Sequence, residues 1–137
     1  MVAWKSSSSF EEINTVLIIS QDAKMTEVWE TLFLQKNCHV VCETTDRNAV
    51  QTSRLLSPAL IVLELALPRL DLVRLCSELR DTTNGTILLL APKGNLTEIS
   101  DYLRAGADEF LSTPISPMAL LIKSMAWLVK QSSQLYA

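Results

Sequence analysis

Short apolar runs alternate along the chain with segments whose hydrophobic residues recur at helical spacing. Val16-Leu17-Ile18-Ile19, Leu60-Ile61-Val62-Leu63 and Ile87-Leu88-Leu89-Leu90 are continuous runs of the kind that form strands buried on both faces of a parallel sheet. Val40-Val41 and Phe110-Leu111 mark a second and a fifth strand in the same succession. Between them, Met25, Val28, Trp29, Leu32 and Phe33 follow the i, i+3, i+4 pattern of an amphipathic helix, with Asp22 placed to cap it. Arg47 to Leu56 predicts a short second helix closed by Pro58, and Leu72, Leu75, Cys76 and Leu79 trace a third. Leu96, Ile99 and Leu103 trace a fourth that Gly106 ends. Ser116-Pro117 opens a last helix reaching about Lys130.

Five strand–helix repeats with short connections predict an α/β domain, a doubly wound parallel sheet with helices on both faces. In such sheets function collects at the carboxyl ends of the strands, near the topological switch point. That singles out Ser20-Gln21-Asp22, Glu64, Ala91 and Thr113. The domain is expected over residues 15–131. Residues 1–14, with Ser6-Ser7-Ser8-Ser9 and only Trp4 and Phe10 as anchors, read as a flexible tail. Residues 132–137 read as a second tail or the start of a linker.

Composition narrows the partners. A formal charge of −3 leaves no basic footprint, so this segment is a poor nucleic-acid binder by itself. The three cysteines, Cys38, Cys42 and Cys76, are an odd number with no leader in front of them, which predicts reduced thiols in a cytoplasmic protein. No apolar run approaches the roughly 20 residues of a membrane span. Cys38 and Cys42 share one face of the second strand while His39 points to the other, so these residues are read as packing groups and no metal site is expected.

Three motifs, in order and on matching elements, carry a family resemblance. Leu63-Glu64-Leu65-Ala66-Leu67-Pro68-Arg69-Leu70-Asp71 resembles the phosphoacceptor segment of response-regulator receivers, with its Met-Pro-x-x-Asp-Gly turn. Gly106-Ala107-Asp108-Glu109-Phe110-Leu111 resembles their Gly-Ala-Asp-Asp-Tyr-Leu, and Thr113-Pro114-Ile115-Ser116-Pro117 their Lys-Pro-Phe-Ser-Pro. The chain is thus similar to a CheY-like receiver, most of all to those of winged-helix transcriptional regulators. The resemblance implies a flavodoxin-like (βα)5 fold with strand order 2-1-3-4-5.

A working receiver, by this resemblance, holds Mg²⁺ with two acids after the first strand and attacks a phosphoryl group with an aspartate after the third. A Ser or Thr after the fourth strand and a Lys after the fifth bind the phosphoryl oxygens. Here the acid pair falls on Ser20 and Gln21, the acceptor on Glu64, the hydroxyl on Ala91 and the lysine on Thr113. One carboxylate is little return for dehydrating Mg²⁺, and without metal and lysine nothing neutralises charge on a transferring phosphoryl group. The extra methylene of Glu64 moves its carboxylate by about a bond length, and a misplacement of about 1 Å can cost about 10²-fold in rate. The expectation is a pseudo-receiver with no catalytic residue, no metal and no cofactor.

Other readings remain open at this level. Glu64 could imitate the phosphorylated state, though it carries one charge and Ala91 has no hydroxyl to couple it to a switch. A residual phosphoacceptor or metal-binding receiver would use Glu64 or Asp22, although Asp22 reads better as a helix cap. The vacated pocket could serve a small-molecule sensor, but no Gly/Ser/Thr-rich phosphate loop follows the first strand. Phe110 stands at the switch-aromatic position and is read as a core residue.

The last helix is apolar almost all round. Leu120, Leu121, Trp127 and Leu128 form the expected core face, and Met118, Ile122, Met125 and Val129 a second stripe. Such a helix needs cover on every side, from a neighbouring element, a tail or another protein. The transcriptional relatives dimerise through the fourth helix, fifth strand and fifth helix. Glu98, Asp101, Asp108 and Glu109 against Lys123 and Lys130 would supply part of their charge set. The expected partner is a second copy or another signalling protein, with no membrane contact. DNA would be reached only through an effector domain outside this chain.

Overall fold

The computed structural model describes residues 13–135, with side chains through residue 131. Strands β1 (Thr15–Ser20), β2 (His39–Glu43), β3 (Leu60–Glu64), β4 (Thr86–Pro92) and β5 (Glu109–Thr113) alternate with five helices. These are α1 (Ala23–Gln35), α2 (Asp46–Leu56), α3 (Arg69–Arg80), α4 (Leu96–Ala105) and α5 (Pro117–Leu135). All five strands pair in parallel in the order β2-β1-β3-β4-β5. This is the predicted flavodoxin-like sheet. Residues 1–12 of the expected N-terminal tail, with Trp4 and Phe10, lie outside the described residues.

The central strands are buried on both faces, as their unbroken apolar runs require. Leu17, Ile19, Ile61, Leu63, Ile87 and Leu89 face α2, α3 and α4, packing on Ala49, Leu72, Leu75, Cys76, Leu79 and Tyr102. The alternate residues Val16, Ile18, Leu60, Val62, Leu88 and Leu90 face α1 and α5, packing on Trp29, Phe33, Leu120, Leu121 and Leu128. One period-two pattern therefore builds two cores.

Local signals set the helix starts. Asp22 Oδ1 accepts from Met25 N at 3.0 Å, Thr45 Oγ1 from Asn48 N at 3.2 Å, Asn95 Oδ1 from Glu98 N at 2.8 Å and Ser116 Oγ from Ala119 N at 3.1 Å. Gly106 ends α4 at φ 134°, where an added Cβ would sit 2.7 Å from Arg80 Cβ. The last helix runs past the expected Lys130 to Leu135. Gln131 explains the extension: its Nε2 donates to Ala59 O at 3.0 Å and also to Thr86 Oγ1, tying the extra turn to the foot of the sheet.

Candidate functional site

The carboxyl ends of β1 and β3 lie side by side, with Ser20 paired in register with Glu64. Ser20 is buried, Gln21 and Asp22 are exposed and Glu64 is half-buried. Ser20 Oγ donates to Glu64 Oε1 at 3.4 Å and accepts from Asp22 N at 3.1 Å. Burial pushes the Glu64 carboxyl above the usual range, the Ser20 hydrogen bond pulls it back, and the Asp22 charge raises it again. Among the described residues no cation forms an ion pair with Glu64.

Ala91 lies near the end of β4, half-buried, and pairs with Ser112 of β5. Thr113, also half-buried, ends β5 before a cis Thr113–Pro114 peptide. The positions singled out from the sequence, Ser20, Gln21, Glu64, Ala91 and Thr113, lie at or just beyond the ends of four neighbouring strands.

The donor set does not fit a hard divalent cation. Asp22 spends Oδ1 on the first turn of α1 and Glu64 is engaged with Ser20. No group of three or more His, Cys, Asp or Glu side chains among the described residues is arranged to hold a metal. Mg²⁺ needs near-octahedral oxygen ligation, for which these two carboxylates offer too little.

Phe110 is half-buried on β5 and stacks on Tyr102 of α4, with ring centroids 6.2 Å apart and planes 6° from parallel. Beside this stack, Asp101 of α4 forms an ion pair with Arg69 of α3, and a longer one, at 4.0 Å, with Arg104. Arg69 and Tyr102 escaped the sequence reading. An aromatic residue next to an acid inside the fourth helix is the only trace they leave.

The residues expected at an interface fall into two groups. The charged ones find partners within the chain. Asp108 Oδ2 accepts from Ile87 N at 2.7 Å and pairs with Arg80 at 3.1 Å, on the α3 side of the sheet. Glu109 pairs with Lys123 at 3.1 Å and accepts from Trp127 Nε1 at 2.8 Å. Lys130 Nζ lies 4.7 Å from the Trp127 ring centre, and Glu98 accepts from its own N-cap Asn95 at 3.3 Å. The apolar ones are mostly open: Met118, Ile122 and Val129 are 54%, 65% and 62% exposed. Met125 differs from them, being half-buried against the α1/α5 core. Cys38 and Cys76 are buried and Cys42 is half-buried, all three as free thiols. No helix of the described residues is long and apolar enough to cross a membrane.

Comparison with known proteins bears on this arrangement. The family described as "Response regulator receiver domain" matches residues 16–124. Protein PetR of Rhodobacter capsulatus is 35% identical over 111 residues, 79% of this chain and 46% of PetR. The probable transcriptional regulator ycf27 of Cyanophora paradoxa is 29% identical over 111 residues, 80% of this chain and 46% of that protein. The chain thus spans less than half the length of these curated relatives. Among solved structures, a two-component response regulator from Clostridium difficile superposes with a TM-score of 0.78 at 23% identity, covering 86% of this chain and 98% of that one. A CheY-like receiver domain protein from Methanospirillum hungatei gives 0.81 at 18% identity, covering 90% and 99%.

Proposed function

The chain belongs to the response regulator receiver family, whose members are signalling modules, and within it we propose a phosphorylation-independent pseudo-receiver that acts by protein–protein contact. One observation carries the reading. At the acceptor position stands a glutamate whose hydrogen-bond partner is a serine hydroxyl, at the place where the family needs metal-binding acids. Ala91 and Thr113, on the ends of the neighbouring strands, are both neutral and supply none of the positive charge that phosphoryl transfer consumes.

Several features support the rest of the reading. The Tyr102–Phe110 stack and the Arg69–Asp101 pair hold α4 against α3 and β5, which suits a surface displayed without an activating event. Exposed apolar residues on α5 suit assembly through that helix, with a second copy or with another signalling protein. In this reading the chain serves transcriptional regulation in the cytoplasm, and any DNA contact belongs to a domain outside it. Its free thiols suit that compartment.

The test is treatment with acetyl phosphate and with phosphoramidate in the presence of Mg²⁺, read by intact-mass spectrometry. The expected result is no phosphoryl adduct and no Mg²⁺-dependent change in Trp fluorescence. A phosphoryl adduct that disappears in Glu64→Gln would overturn the proposal.

A further inference from the structure

The amino ends of the strands, on the opposite edge of the sheet from Glu64, hold a cavity of about 660 Å³. Pro58 and Ala59 at the entry to β3, Asp81, Asn84 and Gly85 between α3 and β4, and Gln131 of α5 all line it. Its walls are tied to one another. Thr83 Oγ1 donates to Pro58 O at 2.6 Å and accepts from Gly85 N at 3.0 Å, while Gln131 Nε2 donates to Ala59 O at 3.0 Å. Arg80, also in the wall, donates to Gly106 O, Asp108, Thr83 O and Gly85 O. Those four bonds leave its guanidinium one of five N–H donors. The polar groups of the wall are thus largely spent on each other. A guest gains there by covering carbon and by facing the guanidinium, which suits an aromatic side chain better than a small polar molecule.

Apolar surface continues beyond the cavity. Leu55 and Leu56 end α2 just before the lining residue Ser57 and are 85% and 39% exposed, and Ile13, ahead of β1, is 70% exposed. The ends of α2 and α3 adjoin here, with the Ser53 and Thr82 hydroxyls 2.6 Å apart. The chain also enters the sheet at this point. Thr15 O accepts from Ala59 N at 2.9 Å, so the first residue of β1 is bonded directly to the cavity wall. Residues 1–12, outside the described residues, are joined to the chain beside that bond.

We infer that the cavity at the foot of the sheet is a docking site for the chain's own residues 1–12, with Phe10 entering over Pro58 and Ala59 beside Arg80, Trp4 covering Leu55 and Leu56, and Lys5 meeting Asp81. Trp4 and Phe10 are the only aromatic residues ahead of β1, and Lys5 is the only basic side chain there. Asp81, in the cavity wall, and Arg54, in the last turn of α2, form no ion pair among the described residues. The segment matches both: Glu11 and Glu12 lie close to its attachment, within reach of Arg54, and Lys5 lies further out.

The tether is long enough. At about 3.3 Å per residue Phe10 can lie up to about 17 Å from Thr15 and Trp4 up to about 36 Å, more than the distance across two neighbouring strands about 4.8 Å apart. It is also short enough to favour the chain's own segment over that of a second copy, since a short tether holds its end at an effective concentration of about millimolar. Each aromatic side chain brings about 150–250 Å² of surface to cover. The cavity lies at the far end of the sheet from the acceptor position, so the inference is independent of the phosphoryl chemistry.

Amide NMR spectra of the full chain test it, wild type against Phe10→Ser and Trp4→Ser. Neither substitution touches the described core, so circular dichroism should stay unchanged. Phe10→Ser is expected to move the amide signals of Ala59, Asn84 and Gly85 and the side-chain amide of Gln131. Trp4→Ser should move those of Leu55, Leu56 and Ser57, and both should leave α4 and the carboxyl ends of the strands in place. Acrylamide quenching of Trp4, read in a Trp127→Phe background, should rise about threefold in Asp81→Lys, and adding Lys5→Glu should recover most of that change. Amide changes that are absent, or that fall on α1, α4 or the carboxyl ends of the strands, overturn the inference. So does an effect that grows with protein concentration, which would assign the cavity to the segment of a second copy.

Discussion

Replacing Glu64 with Gln keeps the shape of the side chain and removes its charge, so it asks directly what the charge does. In the folded protein burial is the first cause that raises this carboxyl above its ordinary value of 4.5, and the Asp22 charge adds to it. The folded state therefore holds the Glu64 proton to higher pH than the unfolded chain does. The sign follows: ionisation of Glu64 costs stability as pH rises from the ordinary value through the folded one. Against it stands one hydrogen bond from Ser20 at 3.4 Å, long enough to contribute only about 0.5 kcal/mol, and a glutamine oxygen can still accept it. The side chain is half-exposed, so water screens both effects and limits the net gain from Glu64→Gln to about 0.5–1 kcal/mol at pH 7. For a chain of this length that is a rise in Tm of about 2–5 °C. Thermal denaturation by circular dichroism from pH 4 to pH 8 reads it, and the two proteins should converge as pH falls towards 4. A variant less stable than wild type by more than about 1 kcal/mol at pH 7 would refute the reasoning. It would mean that a cation holds the Glu64 charge in the folded state, as a working acceptor site requires.

Other substitutions probe the frame around the site. Gly85→Ala places a Cβ 2.2 Å from Pro58 O and 2.6 Å from Ala59 O, both rigid backbone, and should cost about 3 kcal/mol or more in urea denaturation. Asp108→Ala leaves the Ile87 N–H and the Arg80 guanidinium without their shared acceptor, for a loss of about 1–3 kcal/mol by the same assay. Asp108→Asn should recover part of that loss, because its amide oxygen can still accept from Ile87. Burial pushes the Cys76 thiol up to about 12. Titration with a thiol reagent at pH 8 should therefore label half-buried Cys42 faster than Cys76, which should react only as fast as the protein unfolds.

The strands, the helix caps and the two-sided core were legible because each rests on residues close together in sequence. Four consecutive apolar residues at Val16–Ile19, Leu60–Leu63 or Ile87–Leu90 can be satisfied only by burial on both faces, and all twelve are buried. Asp22 caps α1 and Gly106 ends α4 through contacts within their own turns. The placement of Ser20, Glu64, Ala91 and Thr113 at the carboxyl ends of their strands was equally legible, since alternating parallel strands and helices put those ends on one edge of the sheet whatever the side chains do.

Pairings between distant elements left no such trace. Lys123 and Glu109 are oppositely charged wherever they lie, and only the packing of α5 beside β5 turns them towards each other within one chain. Asp108 could serve an interface by its charge, yet its place at the foot of β5 gives it the Ile87 N–H and Arg80 instead. Met125 shares its helical stripe with Ile122, but α1 lies close enough to cover one and leave the other open. Periodicity fixes the angle between residues on a helix; the direction of the whole helix face depends on its neighbours. The sequence by itself thus determined the fold and which residues stand at the carboxyl ends of its strands. Tertiary structure alone decided which side of α5 remains open, because that depends on long-range contacts that no local spacing encodes.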